Sequence, residues 1–216
     1  GPMSRGLGDV YKRQEHASAT ILELMHLVQE AGFPDGVVNV VTGLGVDTGS
    51  ALTRHPLVRR IAFTGGGEGA KSVIKNSAEN LAQVSLEPGG KSPNIIFEDA
   101  DIGSAVNGVI AGIFAASGQS CVAGSRLLVQ DTVYDEFLTA LKTRAASIII
   151  GDPLDPTSEM GPMATQTQLT LVERMVATAL AQGAELIHGG KRAAVAGDGW
   201  YFEPTILAVD DNQCSI

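Results

Sequence analysis

Residues 60–86, RIAFTGGGEGAKSVIKNSAENLAQVSL, decide the fold of this chain. Residues 60–63 are mainly apolar and lead into Thr64 and a run of glycines, which predicts a buried strand that ends in a turn. Residues 68–80 predict a helix, and residues 83–86 predict a second strand. A strand, a helix and another strand in this order are typical of a parallel α/β sheet.

The same alternation continues on both sides of this stretch. Upstream, apolar residues at helical spacing over 21–31 predict an amphipathic helix, and the β-branched run at 37–41 predicts a strand. Residues 47–54 suit a short helix. The alternation starts again after Gly90, so we expect a second α/β unit. The elements expected there are strands at 94–97, 126–129 and 205–209, and helices over 102–114, 133–145 and 169–180.

Three segments are expected along the chain. Residues 1–14 open with a typical tag scar and have no apolar period, so we predict a tag or non-native leader there. Residues 15–90 are expected to form the first α/β domain, and residues 91–216 the second. The chain stops after the strand at 205–209 without a terminal helix or a capping signal, which suggests an interrupted domain.

Composition excludes several classes of protein. The chain has 216 residues, with 15 Lys or Arg against 24 Asp or Glu, and the net charge of -9 repels a phosphate backbone, so we expect no nucleic-acid partner. No apolar run approaches the ~20 residues of a membrane span, so we expect a soluble protein without a membrane partner. Cys121 and Cys214 lie far apart and outside any Cys/His cluster. This predicts no disulfide scaffold and no metal site, and it favours a reducing, cytoplasmic location.

Two residues have side chains and surroundings suited to catalysis. Cys121 lies among small residues that leave room for a substrate beside a thiol, although a buried structural cysteine is the commoner outcome for such a residue. Glu87 follows a predicted strand and precedes a Pro-Gly-Gly turn, and ligands bind at the carboxyl ends of strands in α/β sheets. A solvated loop carboxylate is the alternative for Glu87.

Two motifs resemble the signature motifs of the aldehyde dehydrogenase superfamily: SLEPGGKSPN at 85–94, around Glu87, and GQSCVAGSR at 118–126, around Cys121. Further segments are similar to family segments and occur in the family's order; they lie at 15–18, 38–43, 63–66, 151–154 and 201–205. The resemblance implies an α/β fold with part of a Rossmann-like dinucleotide-binding domain over 15–90, followed by part of the α/β catalytic domain over 91–216.

The resemblance also implies roles for both residues. Cys121 matches the nucleophile that adds to an aldehyde and forms a thiohemiacetal, which passes a hydride to NAD and leaves a thioester. Glu87 matches the general base that activates the water for thioester hydrolysis. The backbone N–H of Cys121 matches one donor to the oxyanion.

NAD is the cofactor that the resemblance implies. The residues it assigns to the cofactor are Glu15, Gly45, Gly49, Phe63, Thr64, Gly65, Gly66 and Pro88. The four residues from Phe63 onward match the turn beside the pyrophosphate, where glycines and a helix N-terminus accommodate phosphate. Glu15 matches a carboxylate on the adenosine ribose that would repel a 2′-phosphate, so we expect NAD rather than NADP. Gly45 and Gly49 match an adenine-side turn, and Lys12 is in register with a lysine that contacts the ribose.

The chain departs from the family pattern in sequence and in length. Pro88 replaces the usual leucine after the base, which removes an N–H and restricts Glu87 to extended backbone, and Ala70 replaces the last glycine of the pyrophosphate turn. Family members are much longer, so we expect a central fragment with little or no aldehyde oxidation activity. Its uncovered apolar faces are expected to favour self-association, and its parent is expected to be a homo-oligomer acting on a small-molecule aldehyde.

Two other classes of function stay open. One is a catalytically silent module that binds a nucleotide or a partner subunit. The other makes Cys121 a hydrolase or redox-sensor thiol. None of the four histidines lies in a motif that pairs it with a cysteine, which disfavours the hydrolase or redox-sensor alternative. The histidines are His16, His26, His55 and His188.

Overall fold

The computed structural model describes residues 8–12, 16–195 and 197–210, and the chain divides into two compact units, residues 1–89 and 90–216. This division lies within one residue of the boundary expected after Gly90. The first unit contains β1 (Asp9–Lys12), α1 (Ala19–Glu30), β2 (Val38–Val41), α2 (Ser50–Arg54), β3 (Arg60–Gly65), α3 (Gly67–Ser77) and β4 (Gln83–Pro88). The second contains β5 (Pro93–Ile96), α4 (Ile102–Phe114), β6 (Arg126–Val129), α5 (Tyr134–Ala146), α6 (Gln166–Ala181), β7 (Glu185–His188) and β8 (Ile206–Ala208).

Two parallel strand pairs organise the first unit. β1 pairs with β2, and β3 pairs with β4. Each pair needs a crossover connection, and the helices α1 and α3 lie in the connecting segments. α3 buries Ala70 and Val73 on its apolar face. The strand, helix and strand predicted from residues 60–86 are therefore confirmed.

Strand β1 lies inside the segment expected to be a leader. Its residues, Asp9–Lys12, pair in register with Val38–Val41, and the Asp9 N–H donates to the Val37 carbonyl oxygen at 2.8 Å. Four residues of the segment predicted to be a tag or non-native leader thus pair with a strand of the first unit. Four residues are too few to show a period, and backbone hydrogen bonds to β2 form this strand whatever its side chains are.

The larger hydrophobic cluster of the second unit joins α4 and α5 to the parallel pair β5–β6. Its buried members are Ile96, Val106, Val109, Ile110, Phe137, Leu141 and Ala145. Phe137 is 0% exposed and Leu141 is 1% exposed, so the stripes read from helical spacing do face a core. Asp101 caps α4, because its side chain accepts the Ser104 N–H at 2.8 Å.

A second cluster lies along α6, which with 16 residues is the longest described helix. Its buried members are Met163, Leu169, Val176 and Phe202. Gly183 follows the helix in left-handed backbone, with φ 97°, and the antiparallel pair β7–β8 comes next. Among the described residues, no helix combines the length and the apolar character that a membrane span needs.

Helix α3 ends at Ser77, earlier than its predicted end at residue 80. The Asn80 side chain donates to the carbonyl oxygens of Thr53 and His55, at 3.0 and 2.8 Å. Leu81 then adopts left-handed backbone, with φ 54°. The contact with the end of α2 turns the chain out of the helix, and a helical period cannot reveal such a contact.

Candidate active site

The turn between β3 and α3 is the first candidate binding feature. β3 ends at Gly65, Gly66 precedes the helix in an extended conformation with ψ 159°, and α3 begins at Gly67. The first N–H groups of a helix have no partner within it, and glycine lets an anion approach them closely. A Cβ built on Gly66 or Gly67 would meet no atom within 4 Å, so this side of the turn is open.

The Phe63 ring packs against the other side of the same turn. A Cβ built on Gly65 would lie 2.7 Å from Phe63 Cζ, and one built on Gly69 would lie 2.8 Å from it. Glycine at these two positions therefore leaves room for the ring. Phe63 was expected among the cofactor residues, and its described contacts are with the turn itself.

Glu87 and Pro88 end strand β4 beside this turn. The register of the parallel pair sets Glu87 opposite Thr64 and Pro88 opposite Gly65. Glu87 is exposed. Four residues predicted for the base and the cofactor thus share the carboxyl end of one strand pair, the edge at which parallel α/β sheets bind ligands.

The predicted adenine-side glycines lie in a second turn of the first unit. Gly45 and Gly49 are the first and last residues of a π-helical turn that leads into α2. The Lys12 side chain, at the end of β1, has its Cε 4.0 Å from the Cβ position of Gly49, so the lysine and the turn are neighbours. Glu15, the predicted ribose ligand, lies outside the described residues.

Cys121 lies in the second unit, in an exposed turn between α4 and β6, and its thiol is free. A 3-10 turn, Ala115–Gly118, precedes it. Three consecutive residues there have left-handed backbone: Ala116 with φ 50°, Ser117 with φ 54° and Gly118 with φ 74°. The first two carry a Cβ, which makes this conformation unfavourable unless other contacts enforce it.

The residues after Cys121 hold the turn from one side. The Gly124 N–H donates to the Gly112 carbonyl oxygen of α4 at 3.1 Å, and Ala123 is buried. A Cβ built on Gly124 would lie 3.4 Å from Asn94 Nδ2, so the turn passes close to β5. Within the described part of the chain, no group accepts a hydrogen bond from the Cys121 N–H, which leaves this donor available to a substrate oxygen.

Ser117 and Gln119 hold the turn from the other side, and sequence reasoning missed both. Ser117 Oγ donates to the carbonyl oxygens of Gly161 and Pro162, at 2.9 and 3.2 Å. Gln119 Oε1 accepts the Ala164 N–H at 3.2 Å. The partners are 44 and 45 positions apart in the chain, so no local pattern reveals them. The only available signal was that both residues lie next to the cysteine motif.

A cleft of about 600 Å³ lies beside these contacts, and Ser117, Gln119, Glu159 and Trp200 are among the residues that line it. The Glu159 carboxylate accepts hydrogen bonds from the Arg144 guanidinium and from the Ile149 N–H. The hydrogen bond from Arg144, and then the one from Ile149, lower the pKa of the Glu159 carboxyl. The ionised Glu159 carboxylate therefore stabilises the loop through these hydrogen bonds, and it is a poor candidate for proton transfer near neutral pH.

The two predicted catalytic residues belong to different units, with Glu87 in the first and Cys121 in the second. Cys214, the other cysteine, lies outside the described residues. Within the described ranges there is no group of His, Cys, Asp and Glu side chains that could hold a metal ion.

A free, exposed thiol lies on one α/β unit, and an open glycine turn lies at the end of a parallel strand pair on the other. An α/β fold with a glycine turn of this kind is typical of dinucleotide-dependent oxidoreductases. The chain belongs to the aldehyde dehydrogenase family, whose sequence model matches residues 6–216. The expected superfamily is therefore confirmed.

Curated proteins that the chain resembles are named as dehydrogenases. The chain is 53% identical over 208 residues to (Z)-2-((N-methylformamido)methylene)-5-hydroxybutyrolactone dehydrogenase of Acinetobacter baylyi, covering 96% of this chain and 42% of that protein. It is 40% identical over 205 residues to betaine aldehyde dehydrogenase 1 of Oryza sativa, covering 95% of this chain and 41% of that protein. The chain thus spans about two fifths of the length of the curated relatives it matches.

Solved structures of the family share the fold. PnpE in complex with nicotinamide adenine dinucleotide matches with a TM-score of 0.89 and 41% identity, covering 93% of this chain and 42% of that one. A mutant betaine aldehyde dehydrogenase from Staphylococcus aureus, in complex with NAD+ and with a BME-modified cysteine, matches with a TM-score of 0.90 and 39% identity, covering 93% and 41%. The expected α/β, Rossmann-like fold class is confirmed by these matches.

Proposed function

We propose that this chain is the part of an NAD-dependent aldehyde dehydrogenase that carries the nucleophile and the general base. The reaction is the oxidation of an aldehyde to a carboxylic acid. The observation that carries the proposal is Cys121, a free, exposed thiol whose backbone N–H has no acceptor among the described residues. The position of Cys121 within the residues that the family model matches supports the same role.

The chemistry assigned to the chain runs through two side chains. The Cys121 thiolate attacks the carbonyl carbon of the aldehyde, a C–S bond forms, and the electron pair of the carbonyl moves to the oxygen, where the Cys121 N–H stabilises it. When bound, NAD supplies the acceptor for the two electrons and the hydrogen that leave the substrate carbon. Glu87 then takes a proton from the water that attacks the Cys121 thioester, the C–S bond breaks, and the thiolate is regenerated.

The first unit has a donor set that suits NAD. The open N–H groups at Gly66 and Gly67 suit a pyrophosphate, because Cβ atoms at these positions would meet nothing within 4 Å and the helix begins there. The turn that includes Gly45 and Gly49 would hold the adenosine end, with Lys12 beside it. Glu15 is assigned to the ribose hydroxyls, and its charge favours NAD over NADP.

Three finer features belong to the same proposal. The substrate is a small-molecule aldehyde, as the names of the betaine aldehyde dehydrogenases among the relatives suggest. The parent enzyme is a homo-oligomer, and a free thiol suits a reducing compartment such as the cytoplasm. The 216 residues alone oxidise aldehydes at a small fraction of a full-length relative's rate, because they span only about two fifths of such a relative.

A single-turnover experiment tests this function, because it detects chemistry too slow for steady-state assay. The Glu87→Gln chain is incubated with NAD and betaine aldehyde, and the mass of the peptide that contains Cys121 is measured by mass spectrometry. We expect an acyl adduct on Cys121 that requires NAD and is absent from a Cys121→Ser chain. NAD binding without any adduct would identify a silent nucleotide-binding module instead, and the absence of both would overturn the proposal.

A further inference from the structure

We propose that Ser117 and Gln119 are positioning residues, which hold Cys121 for attack on a carbonyl by tying the turn before it to residues 161–164. The inference rests on the proposed nucleophilic role of Cys121. Neither side chain needs to touch the substrate, because both act on the backbone of the cysteine turn.

The backbone before Cys121 requires such support. Ala116 and Ser117 are both left-handed, a conformation that costs an L-residue with a Cβ free energy and persists only where surrounding contacts enforce it. Ser117 meets this need with its hydroxyl proton, which is shared between the carbonyl oxygens of Gly161 and Pro162. Gln119 adds contacts on both sides of its amide: its Oε1 accepts the Ala164 N–H, and its Nε2 donates to the Ala116 carbonyl oxygen at 3.3 Å.

Residues 161–164 are a firm anchor because they are fixed to the second hydrophobic cluster. The Met163 side chain is buried in this cluster beside Leu169 and Phe202. The Met163 N–H donates to the Trp200 carbonyl oxygen at 3.0 Å. Displacement of the cysteine turn would therefore disturb packed side chains as well as a neighbouring loop.

Cys121 lies between two anchors. Ser117 and Gln119 hold the chain before it, and the Gly124 hydrogen bond to α4 holds the chain after it. This arrangement fixes the direction of the Cys121 N–H and of the thiol together. A misplacement of ~1 Å can cost about a hundredfold in rate, so the loss of one anchor is expected to affect carbonyl chemistry more than the general reactivity of the thiol.

Four variants of the full chain test the anchoring side-chain contacts of Ser117 and Gln119. Ser117→Ala removes the hydroxyl, and Gln119→Met removes the acceptor of the Ala164 N–H while keeping the length of the side chain. Gln119→Glu is the conservative variant, since its carboxylate still accepts that N–H. Thr143→Ala is the matched control, because it deletes a hydroxyl that donates to a carbonyl oxygen within α5, away from the turn.

Two reagents distinguish positioning from reactivity at the same sulfur. With p-nitrophenyl acetate the thiolate attacks the ester carbonyl, a C–S bond forms, the C–O bond breaks and p-nitrophenolate leaves, so an oxyanion donor assists the step. With iodoacetamide the thiolate displaces iodide from a saturated carbon, which needs no oxyanion donor. The ratio of acylation to alkylation at Cys121 therefore measures the placement of the thiol and its N–H.

We expect Ser117→Ala and Gln119→Met to lower this ratio by about tenfold, within the range that misplacement by ~1 Å produces. Thr143→Ala is expected to keep the ratio within about twofold of the unchanged chain, since it retains the anchoring contacts. Gln119→Glu keeps the acceptor of the Ala164 N–H and loses the donor to the Ala116 carbonyl oxygen, so we expect it to lower the ratio less than Gln119→Met does. Hydrogen exchange of the peptide over 115–124 is expected to speed up by about fivefold in the two damaging variants, because their turn opens more often.

The outcomes separate this inference from the proposed function. An unchanged ratio and unchanged exchange in Ser117→Ala and Gln119→Met would overturn the positioning role while leaving the nucleophile intact. If Cys121 of the unchanged chain reacts with iodoacetamide and never with the ester, the proposed function fails. Hydrogen exchange then decides by itself whether the two residues anchor the turn.

Discussion

At the scale of a single residue, Gly66 is a position where a substitution should affect ligand binding without affecting the stability of the fold. A methyl group at this position would meet no protein atom within 4 Å, yet it would stand where an anion approaches the first N–H groups of α3. We expect Gly66→Ala to weaken NAD binding by about tenfold, equivalent to about 1.4 kcal/mol, and to leave the free energy of unfolding unchanged. Isothermal titration with NAD measures the first quantity and urea denaturation the second.

Gly108→Ala is the control for this prediction. Gly108 lies within α4 in the second unit, and a Cβ there also meets nothing within 4 Å. It should leave NAD binding unchanged. Equal NAD affinity in the Gly66→Ala and Gly108→Ala chains would show that the turn does not bind the cofactor.

The two cysteines should differ in reactivity. Cys121 is free and exposed among small residues, so a small alkylating reagent reaches its sulfur without opening the fold. We expect substoichiometric iodoacetamide to modify Cys121 before Cys214 in the folded chain, as peptide mapping by mass spectrometry would measure. Preferential modification of Cys214 would contradict this order of reactivity.

At the scale of an element, the β7–β8 pair depends on Gly189. Its backbone is left-handed, with φ 74°, and a Cβ there would collide with the Pro204 carbonyl oxygen, which belongs to the backbone and cannot swing aside. Gly183 is also left-handed, but a Cβ there meets nothing within 4 Å. The comparison of these two glycines therefore isolates the collision from the cost of the conformation.

We expect Gly183→Ala to lower the free energy of unfolding by about 1 kcal/mol, the cost of the left-handed conformation alone. Gly189→Ala should lower it by more than about 3 kcal/mol, since strain and a backbone collision add. Urea denaturation followed by the fluorescence of Trp200, the one tryptophan in the sequence, measures both. Equal losses would mean that the β7–β8 connection moves freely to accept a methyl group.

Helix α6 offers a test of capping. The Thr165 side chain accepts the Gln168 N–H at 3.2 Å and satisfies one of the free donors of the first turn. Thr165→Ala is expected to lower the free energy of unfolding by about 1 kcal/mol. Thr170→Ala, an exposed change within the same helix, should be neutral or slightly stabilising because alanine has the higher helix propensity. A Thr165→Ala chain as stable as Thr170→Ala would exclude the cap.

At the scale of the whole molecule, the second unit is expected to be sensitive to acid. The hydrogen bonds from Ser104 lower the pKa of Asp101, those from Thr157 lower the pKa of Asp155, and the one from Arg192 lowers the pKa of Glu173; Glu159 was described above. All four carboxyls lie in the second unit. Their folded pKa values are below their unfolded values, so the folded chain binds fewer protons than the unfolded chain on the acid side.

The sign of the pH dependence follows from this difference. The contribution of these carboxylates is complete above the ordinary carboxyl range and is lost as the pH falls through the lowered pKa values. We therefore expect their contribution to be constant above about pH 5 and to be lost progressively below about pH 4. Urea midpoints from Trp200 fluorescence, taken as a function of pH, measure it. Glu159→Gln should reduce the slope with which the urea midpoint falls below about pH 4. An unchanged slope in this variant would exclude Glu159 as a contributor.

The sequence by itself determined the elements whose side chains repeat along the chain. Helices were predicted over 102–114 and 133–145 from the helical spacing of their apolar residues, and Val106, Ile110, Phe137 and Leu141, which have this spacing, are buried in one cluster. A helix that packs on a core repeats its contact every turn, so its period reports its buried face directly. The sequence also predicted the cysteine of the candidate site, because the residues around Cys121 form a contiguous motif.

Only the tertiary structure decided the contacts between distant segments. The pairing of β1 with β2 and the anchoring of Ser117 and Gln119 to residues 161–164 join positions far apart in the chain, and no local period encodes them. The left-handed backbone at Ala116 opposes the intrinsic preference of an L-residue. Such a conformation exists only where packed neighbours enforce it, and for this reason the geometry before Cys121 had to be read from the folded chain.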